Sequence, residues 1–387
     1  MSLPPEPIPS TRVPHAPLLP IPRWKILAGV SIVALITVAA VIVLWWAGTS
    51  GLTGKDLVSA RLDALKVGLS LGVGGGGLFA LYLAWRRQRS TEADLDNRER
   101  ALAHQERVAV SVEKDAEARR ITDLYGKAVE QLGSDKAPVR LGGLYALERL
   151  AQDHETQRQT IVSVWCAYLR MPFSLPPYDE PDQNAEEQVL LDYLDRVQER
   201  EVRLTAQRLL TAHLRVSQDK NKSEATFWDD IVIDLTGATL IDFNLSRCHV
   251  RQASFRRAIF KGPAFFNSIT FIETIGFGRA IFSNYVTFDS TRFLSRAIFE
   301  MASFNDHANF SSAEFGANAV FHKAHFAKDA DFASVKFSDH ANFREANFEG
   351  KVHFEAARFT KRAITKAAKF KLEIPEQLQH RSAPSDS

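Results

Sequence analysis

The sequence predicts a β-solenoid that follows a helical region and a pair of apolar helices. Three observations lead to this prediction. Phenylalanine recurs at alternating steps of five and six residues through the C-terminal third of the 387-residue chain. Charges of both signs crowd the segment from 90 to 120. The segment from Ile26 to Trp46 carries no charge at all.

The phenylalanine spacing has a true period of eleven residues and runs for more than a hundred residues. A fixed short period of this length is typical of a repeat solenoid. Phe370 keeps the spacing beyond the unbroken series. The predicted core consists of Phe255, Phe260, Phe266, Phe271, Phe277, Phe282, Phe288, Phe293, Phe299, Phe304, Phe310, Phe315, Phe321, Phe326, Phe332, Phe337, Phe343, Phe348, Phe354 and Phe359.

The spacing fits strands and not a helix, although eleven-residue periods also occur in right-handed helical supercoils. At about 100° per residue, Phe255 and Phe260 would lie about 140° apart on a helix and form no apolar stripe. In a strand, residues two apart point to the same side. A small or β-branched residue stands two positions before most of the phenylalanines, with a mostly polar residue between. Each step therefore predicts a short strand and a corner.

The repeats resemble the pentapeptide-repeat family, whose motif is A-(D/N)-(L/F)-x-x. The triplets that match it best are Ala308-Asn309-Phe310, Ala330-Asp331-Phe332, Ala341-Asn342-Phe343 and Ala346-Asn347-Phe348. The resemblance covers about residues 230 to 370 and implies a right-handed quadrilateral β-helix. The six-residue steps depart from the family pattern. If four sides still close a coil, each coil holds twenty-two residues, with an extra residue at two opposite corners.

The solenoid is expected over 227–371, and its two open ends need covering because unpaired strand edges invite aggregation. Trp228, Ile231 and Ile233 are the predicted N-terminal lid. At the other end the spacing fails at Thr365. There the lysine-rich stretch 361–371 is expected to discourage edge pairing, and a disordered tail is expected over 372–387.

The N-terminal region predicts a Pro-rich disordered tail over 1–23 and a transmembrane helical hairpin over 24–86. The apolar run from Ile26 to Trp46 is long enough to cross a bilayer, and a second run extends from Val67 to Trp85. A signal peptide is the alternative for the first run. Its apolar core is too long for that, and a second span follows.

The flanking cations predict the orientation of the hairpin. Arg23 and Lys25 precede the first span, and Arg86, Arg87 and Arg89 follow the second. The positive-inside rule then places both termini in the cytoplasm of a bacterial inner membrane. In this arrangement the chain resembles the membrane-anchored bacterial type of pentapeptide-repeat protein, which has two N-terminal transmembrane helices.

Gly68, Gly72 and Gly76 recur every fourth residue on one face of the second span. Such small residues permit close packing, either on the first span or on another copy of the protein. The plainer interpretation is that glycine is common in membrane helices.

Residues 87–216 predict a cytosolic stalk and a helical domain. Apolar-rich helices are expected around 121–133, 139–153 and 159–170, the second opened by Pro138. A further helical pair is expected from about Glu186 to Arg215. Similar segments precede the repeats in membrane-bound pentapeptide-repeat proteins. The helix pairs either stack like HEAT repeats or form a small domain on the first coil.

No motif predicts catalysis, and no cofactor or metal is expected. Gly54-Lys55 resembles the end of a phosphate loop, but Thr49 and Asp56 occupy positions that need Gly and Ser or Thr. His322 and His325 have a spacing conceivable for a metal site, yet they are expected to point outward without a carboxylate partner. Cys166 and Cys248 are too far apart in sequence to suggest a disulfide.

The preferred hypothesis for function is a non-enzymatic scaffold, tethered to the membrane, that binds unidentified partner proteins and could itself be a homo-oligomer. The resemblance also suggests inhibition of DNA gyrase by DNA mimicry. Residues 225–371 hold nineteen Lys and Arg against fifteen Asp and Glu, a net of about +4, which opposes mimicry of an anion and leaves nucleic-acid-related partners disfavoured. A membrane sensing or transport accessory is the remaining alternative.

Overall fold

A computed structural model describes residues 22–50, 55–177, 179–182, 185–216, 226–372 and 376–379. Most of the two tails predicted to be disordered, and residues 51–54 of the phosphate-loop-like motif, lie outside these ranges. The chain divides into two compact units, Met1–Glu117 and Ala118–Ser387.

The first unit contains helix α1, Arg23–Thr49, and most of helix α2, Lys55–Leu132. The segments Arg23–Gly48 and Val58–Leu132 each include a stretch long and apolar enough to cross a membrane. Helix α2 continues through the predicted boundary at residues 86–87, because no Gly or Pro interrupts the charged sequence that follows the arginines.

The helices of the second unit are the end of α2, then α3 (Ala137–Asp153), α4 (Arg158–Arg170), α5 (Glu187–Leu214) and the short α6 (Glu376–Gln379). A 3-10 turn, Glu155–Gln157, joins α3 to α4, and Pro138 lies in the first turn of α3. The predicted helical pair over 186–215 is wrong, because α5 is one helix. Its sequence contains no Gly or Pro that would end it midway.

The solenoid confirms the β-helix fold class: a parallel, four-sided coil of about six turns. Each side is one parallel sheet. Face 1 comprises Val232–Asp234, Gln252–Ser254, Ile275–Gly276, Ala297–Ile298, Ala319–Val320, Ala341–Asn342 and Ala363–Ile364. Face 2 comprises Thr239–Ile241, Ile259–Lys261, Ile281–Phe282, Ser303–Phe304, His325–Phe326, Asn347–Phe348 and Lys369–Phe370.

The other two faces complete each turn in chain order. Face 3 comprises Ala264–Phe265, Val286–Thr287, Ala308–Asn309, Ala330–Asp331 and Val352–His353. Face 4 comprises His249–Val250, Thr270–Phe271, Arg292–Phe293, Glu314–Phe315, Lys336–Phe337 and Arg358–Phe359.

The register between coils follows the spacing of the core residues. In the first coil, where the steps are all five, Ile233 pairs with Ala253, twenty residues on. Val250 pairs with Phe271, which is twenty-one residues further along the chain. Later strands pair at twenty-two, as Ala308 does with Ala330. The expected twenty-two-residue coil is therefore observed wherever five- and six-residue steps alternate.

The corners of the five-residue steps contain a non-glycine residue with positive φ at every eleventh position. Arg257, Ser268, Arg279 and Ser290 are examples, with φ between 54 and 58°. Beside them, the N–H of the third residue after a core phenylalanine donates to its carbonyl, as Ala302 N does to Phe299 O at 3.1 Å. A positive φ at the third residue of such a turn is the type II pattern.

All twenty phenylalanines of the predicted core are buried, and Phe370 is partly buried. Rings one coil apart lie almost parallel, as in Phe299 and Phe321 with centroids 4.9 Å apart at 2°. Rings on opposite faces are perpendicular, as in Phe299 and Phe310 at 5.4 Å and 90°. Both arrangements are the ones aromatic quadrupoles prefer. The spacing alone did not indicate Phe243, which is buried two positions before Leu245.

Candidate interaction surfaces

The N-terminal end of the solenoid is covered by two glutamines that act as substitute strands. The side-chain amide of Gln207, in α5, donates to Ile241 O at 2.7 Å, and its Oε1 accepts from Ile241 N at 3.0 Å. Gln159, in α4, makes the same pair of bonds with Val232, both at 2.9 Å. The first strands of faces 1 and 2 therefore have hydrogen-bond partners on their outer edge.

Face 4 is covered by main chain at the same end. Arg215 forms an antiparallel bridge with Cys248, and Val216 N donates to Arg247 O at 3.1 Å. Three of the four sides thus receive hydrogen bonds from the helical region, as buried backbone polar groups require.

The predicted lid residues Trp228, Ile231 and Ile233 are all buried at this end, beneath helices rather than as the outermost layer. The Trp228 ring stacks on His213, with centroids 3.8 Å apart, and lies 5.8 Å from that of Trp165. His213 Nε2 lies 2.9 Å from Glu148 Oε1, and Trp228 N donates to His213 O. Helices α3, α4 and α5 are therefore fixed to the first coil by polar as well as apolar contacts.

Two cysteines lie at the same end and are buried free thiols. Burial raises the pKa of Cys166 and of Cys248 from 9.0 to about 12. Thiols of this kind are neutral at physiological pH and are poor nucleophiles.

The C-terminal end carries cations in place of such caps. Lys361 Nζ lies 2.7 Å from Asp339 Oδ1, a hydrogen bond that lowers the pKa of this carboxyl. Lys366, Lys369 and Lys371 are exposed around the last coil. Leu378 of α6, within the tail predicted to be disordered, is buried and belongs to the hydrophobic core.

The four faces present different outward rows. From the second coil on, face 1 shows no charge and face 4 shows several. The outward residues of face 1 are Ser254, Gly276, Ile298, Val320, Asn342 and Ile364, a row called the smooth face below. Those of face 4 are His249, Thr270, Arg292, Glu314, Lys336 and Arg358. These two faces of the solenoid therefore differ in surface chemistry.

His322 and His325 both face outward, but the expectation that they lack carboxylate partners is wrong. His322 Nδ1 lies 3.3 Å from Glu300 Oε1, and its Nε2 lies 3.7 Å from Glu345 Oε1. The sequence hid this arrangement because residues twenty-two apart become neighbours on adjacent coils. Among the residues that the structure describes, no group of three or more His, Cys, Asp or Glu could hold a metal.

The glycines of α2 pack on α1 within the first unit. A Cβ at Gly72 would lie 2.9 Å from Thr37 Cγ2, and one at Gly68 would overlap Val41. A Cβ at Gly76 would meet nothing within 4 Å, although Gly76 lines the same groove as Gly72. Close approach of the helices therefore depends on Gly68 and Gly72.

The helical region of the second unit holds a buried ionic network. Arg203 Nε donates to Glu199 Oε1 at 2.7 Å, and Arg140 reaches the other carboxylate oxygen at 3.3 Å. The Tyr168 hydroxyl donates to Glu199 Oε2 at 2.7 Å. Burial is the main cause that raises the pKa of Tyr168, and this hydrogen bond is the second. Arg203 also donates to the carbonyls of Leu169 and Met171 and so ends α4. The carboxylate of Glu199 is thus paired with both arginines, although Arg140 Nε is buried without a hydrogen-bond partner, and the network joins α3, α4 and α5.

Two family models match the solenoid, and both are described as pentapeptide repeats. One, of nine copies, matches residues 288–336, and the other, of eight copies, matches residues 233–267. Pentapeptide repeats are therefore detected at both the five-residue and the mixed five- and six-residue spacing. Comparison with curated proteins and with solved structures gave no match.

Proposed function

We propose that this chain is a membrane-anchored, non-enzymatic scaffold that presents its solenoid to partner proteins in the cytosol. The observation that carries the proposal is the contrast between a filled interior and four outward rows of different chemistry. The interior of the coil is packed with phenylalanine rings and offers no space for a substrate. Flat parallel faces with distinct side-chain rows suit the recognition of other proteins.

The anchor is proposed from the two apolar helices. Most large apolar residues of α1 are exposed, including Leu35 at 67% and Trp46 at 80%, a surface that suits lipid and not water. The cations at Arg23, Lys25 and Arg86–Arg89 flank the outer ends of the two spans. The positive-inside rule then favours both termini in the cytoplasm of a bacterial inner membrane.

The anchor and the topology are tested by fusing reporters at Ser90 and after Ser387. A cytoplasmic reporter such as green fluorescent protein should be active at both sites, and alkaline phosphatase should be inactive at both. Periplasmic activity at either site would overturn the orientation. Recovery of the full chain in the soluble fraction would overturn the anchor.

The scaffold role is tested by proximity labelling from the same C-terminal fusion. A chain in which Phe310→Ala and Phe321→Ala disrupt the solenoid serves as the matched control. Neighbours labelled by the wild type and lost in the control would support the proposal. Identical neighbours in both would show that the solenoid does not select them.

A further inference from the structure

Three exposed arginines occupy one corner of the solenoid between face 1 and face 2. Arg257 and Arg279 follow each other on adjacent coils, since Arg257 N donates to Gly278 O, and Arg256 precedes Arg257. We call these three residues the arginine corner. Within the part of the chain that the structure describes, none of them has an ion-pair partner. Like charges on neighbouring coils repel each other, and an anionic partner would relieve that repulsion.

The smooth face borders the arginine corner and is apolar at its centre. Ile298 and Val320 are adjacent in register and half-buried. Leu294 and Met301, at the corners on either side of Ile298, are exposed by 47% and 39%. A partner for this surface needs an apolar stripe with an acidic edge.

The chain itself carries such a segment in the first half of α5. Every buried residue of α5 lies at or beyond Val202. Leu191 and Leu194, in residues 187–198, are exposed by 53% and 52%. We call residues 187–198 the acidic helix segment. At about 100° per residue, Asp195 lies about 40° from Leu191, so an acidic edge runs directly beside the leucine stripe.

The two surfaces match in length as well as in chemistry. Leu191 and Leu194 are three helical residues apart, about 4.5 Å along the helix axis, and Ile298 and Val320 are one coil spacing of about 4.8 Å apart. Asp192 and Asp195 have no ion-pair partner among the residues described, although Gln188 donates to Asp192 at 3.0 Å.

We propose that the chain self-associates by seating the acidic helix segment of one copy on the smooth face of another. Leu191 and Leu194 pack on Ile298 and Val320, and Asp192 and Asp195 face the arginine corner. This inference deepens the proposed scaffold function, on which it rests, by naming a second copy as one of the partners.

The test measures the association of the full chain in detergent micelles by sedimentation velocity. Arg256→Glu/Arg257→Glu/Arg279→Glu should weaken self-association at least ~10-fold, and Asp192→Lys/Asp195→Lys should do the same. Combining the two sets should restore it, because the charges are exchanged rather than removed. Lys328→Glu/Lys336→Glu/Arg358→Glu, with the same change in charge at exposed positions away from face 1, is the matched control and should have no effect.

Several outcomes would overturn the proposal. These are a monomeric wild type, equal weakening in the control, or no recovery in the combined variant. Association that persists in every variant would assign it to another surface, such as the membrane helices.

A second measurement separates this partner from a lipid surface. A synthetic peptide of residues 186–199 should compete with self-association, and the same peptide with Leu191→Ser and Leu194→Ser should not. If vesicles of anionic phospholipid compete and the peptide does not, the arginine corner is a lipid-binding surface and the proposal is wrong. Neither result bears on the reporter and proximity-labelling tests, so the scaffold function stands or falls separately.

Discussion

The two ends of the solenoid face the same problem, an unpaired strand edge, and meet it differently. At the N-terminal end, Gln159, Gln207 and Val216 supply hydrogen bonds to three of the four sides. At the C-terminal end the last strands of the four faces are Val352–His353, Arg358–Phe359, Ala363–Ile364 and Lys369–Phe370. Lysines surround that end, and Leu378 of α6 is buried.

The N-terminal end is thus closed by specific hydrogen bonds, a fitted end, whereas the C-terminal end is protected by charge. A fitted end couples the solenoid to the helical region, because removing either part leaves buried polar groups unpaired. A charged end protects through repulsion between like copies and leaves the coil free to fray. The comparison can be tested on the unit Ala118–Ser387.

The largest difference is expected between the middle of the stack and its C-terminal end. Phe310→Ala should lower the free energy of unfolding by roughly 3–5 kcal/mol, because rings above, below and opposite hold the cavity open. Phe370→Ala, at a partly buried ring in the last coil, should cost about 1 kcal/mol. Urea melts measure both. Ser312→Ala is the control, since Ala356 and Ala367 occupy the equivalent turn position. Equal costs for Phe310 and Phe370 would contradict the idea of a frayed end.

The next largest effect concerns the closed end. Gln207→Ala should cost about 2–3 kcal/mol, because it leaves the buried N–H and C=O of Ile241 without partners. Gln188→Ala, on the exposed half of the same helix, is the matched control and should change the stability little. If the two substitutions cost the same, the glutamine does not act as a strand substitute.

A steric test distinguishes a tight corner near the C-terminal end from an open position near the N-terminal end. A Cβ at Gly350 would lie 2.6 Å from Lys328 O in the coil before it, whereas one at Gly276 would meet nothing within 4 Å. Gly350→Ala should therefore cost about 1–2 kcal/mol, and Gly276→Ala should be neutral. Thermal unfolding followed by circular dichroism decides the matter. A neutral Gly350→Ala would mean that the C-terminal coils yield easily.

Alkaline pH should loosen the closed end. The folded-state pKa of Cys166 and Cys248 is raised by burial from 9.0 to about 12. Their contribution to stability is therefore complete below pH 9 and is lost as pH rises toward 12. The melting temperature should fall by a few degrees between pH 8 and pH 10, and less in Cys166→Ala/Cys248→Ala. An equal fall in both proteins would exclude the thiols as the cause.

Acid should act, more weakly, on the open end. The hydrogen bond from Lys361 lowers the pKa of Asp339, and the backbone N–H, followed by His353, lowers the pKa of Glu355. The stabilisation from these two carboxylates is present at pH values above the unfolded-state pKa values near 4. It is lost as the pH falls through the lower folded-state pKa values. Hydrogen exchange of residues 352–370 should quicken below about pH 4. Asp339→Asn should reduce this response, and an unchanged response would rule out the Lys361 pair.

Much of the solenoid could be predicted because its core repeats in sequence. The phenylalanine spacing gives the strands, the inward side and the change from twenty to twenty-two residues per coil. The caps could not be predicted, since Gln159 and Gln207 look like ordinary polar residues of a helix. Their role depends on where the helix ends meet the first coil. The same limit applies to His322, whose carboxylate neighbours are distant in sequence.

The helical region shows a second limit of sequence reasoning. The helical pair expected over 186–215 was wrong because no Gly or Pro interrupts α5. Leu191 and Leu194 lie in the first half of this helix. In the structure these leucines are exposed. They therefore mark an uncovered face of one continuous helix and not a turn between two helices. Phe243 was missed for a related reason, because it stands two positions before the expected core residue.

Because the register is constant, the number of residues in the solenoid determines which way each later face points. Removing one stretch of twenty-two residues, such as 289–310, shortens the coil by one turn and leaves every later side chain facing as before. Removing eleven residues instead rotates every later side chain by half a revolution about the solenoid axis, since face 1 then continues as face 3. Insertions or deletions of whole turns therefore change only the length of the solenoid. Insertions or deletions of half turns also change the direction in which its later faces point.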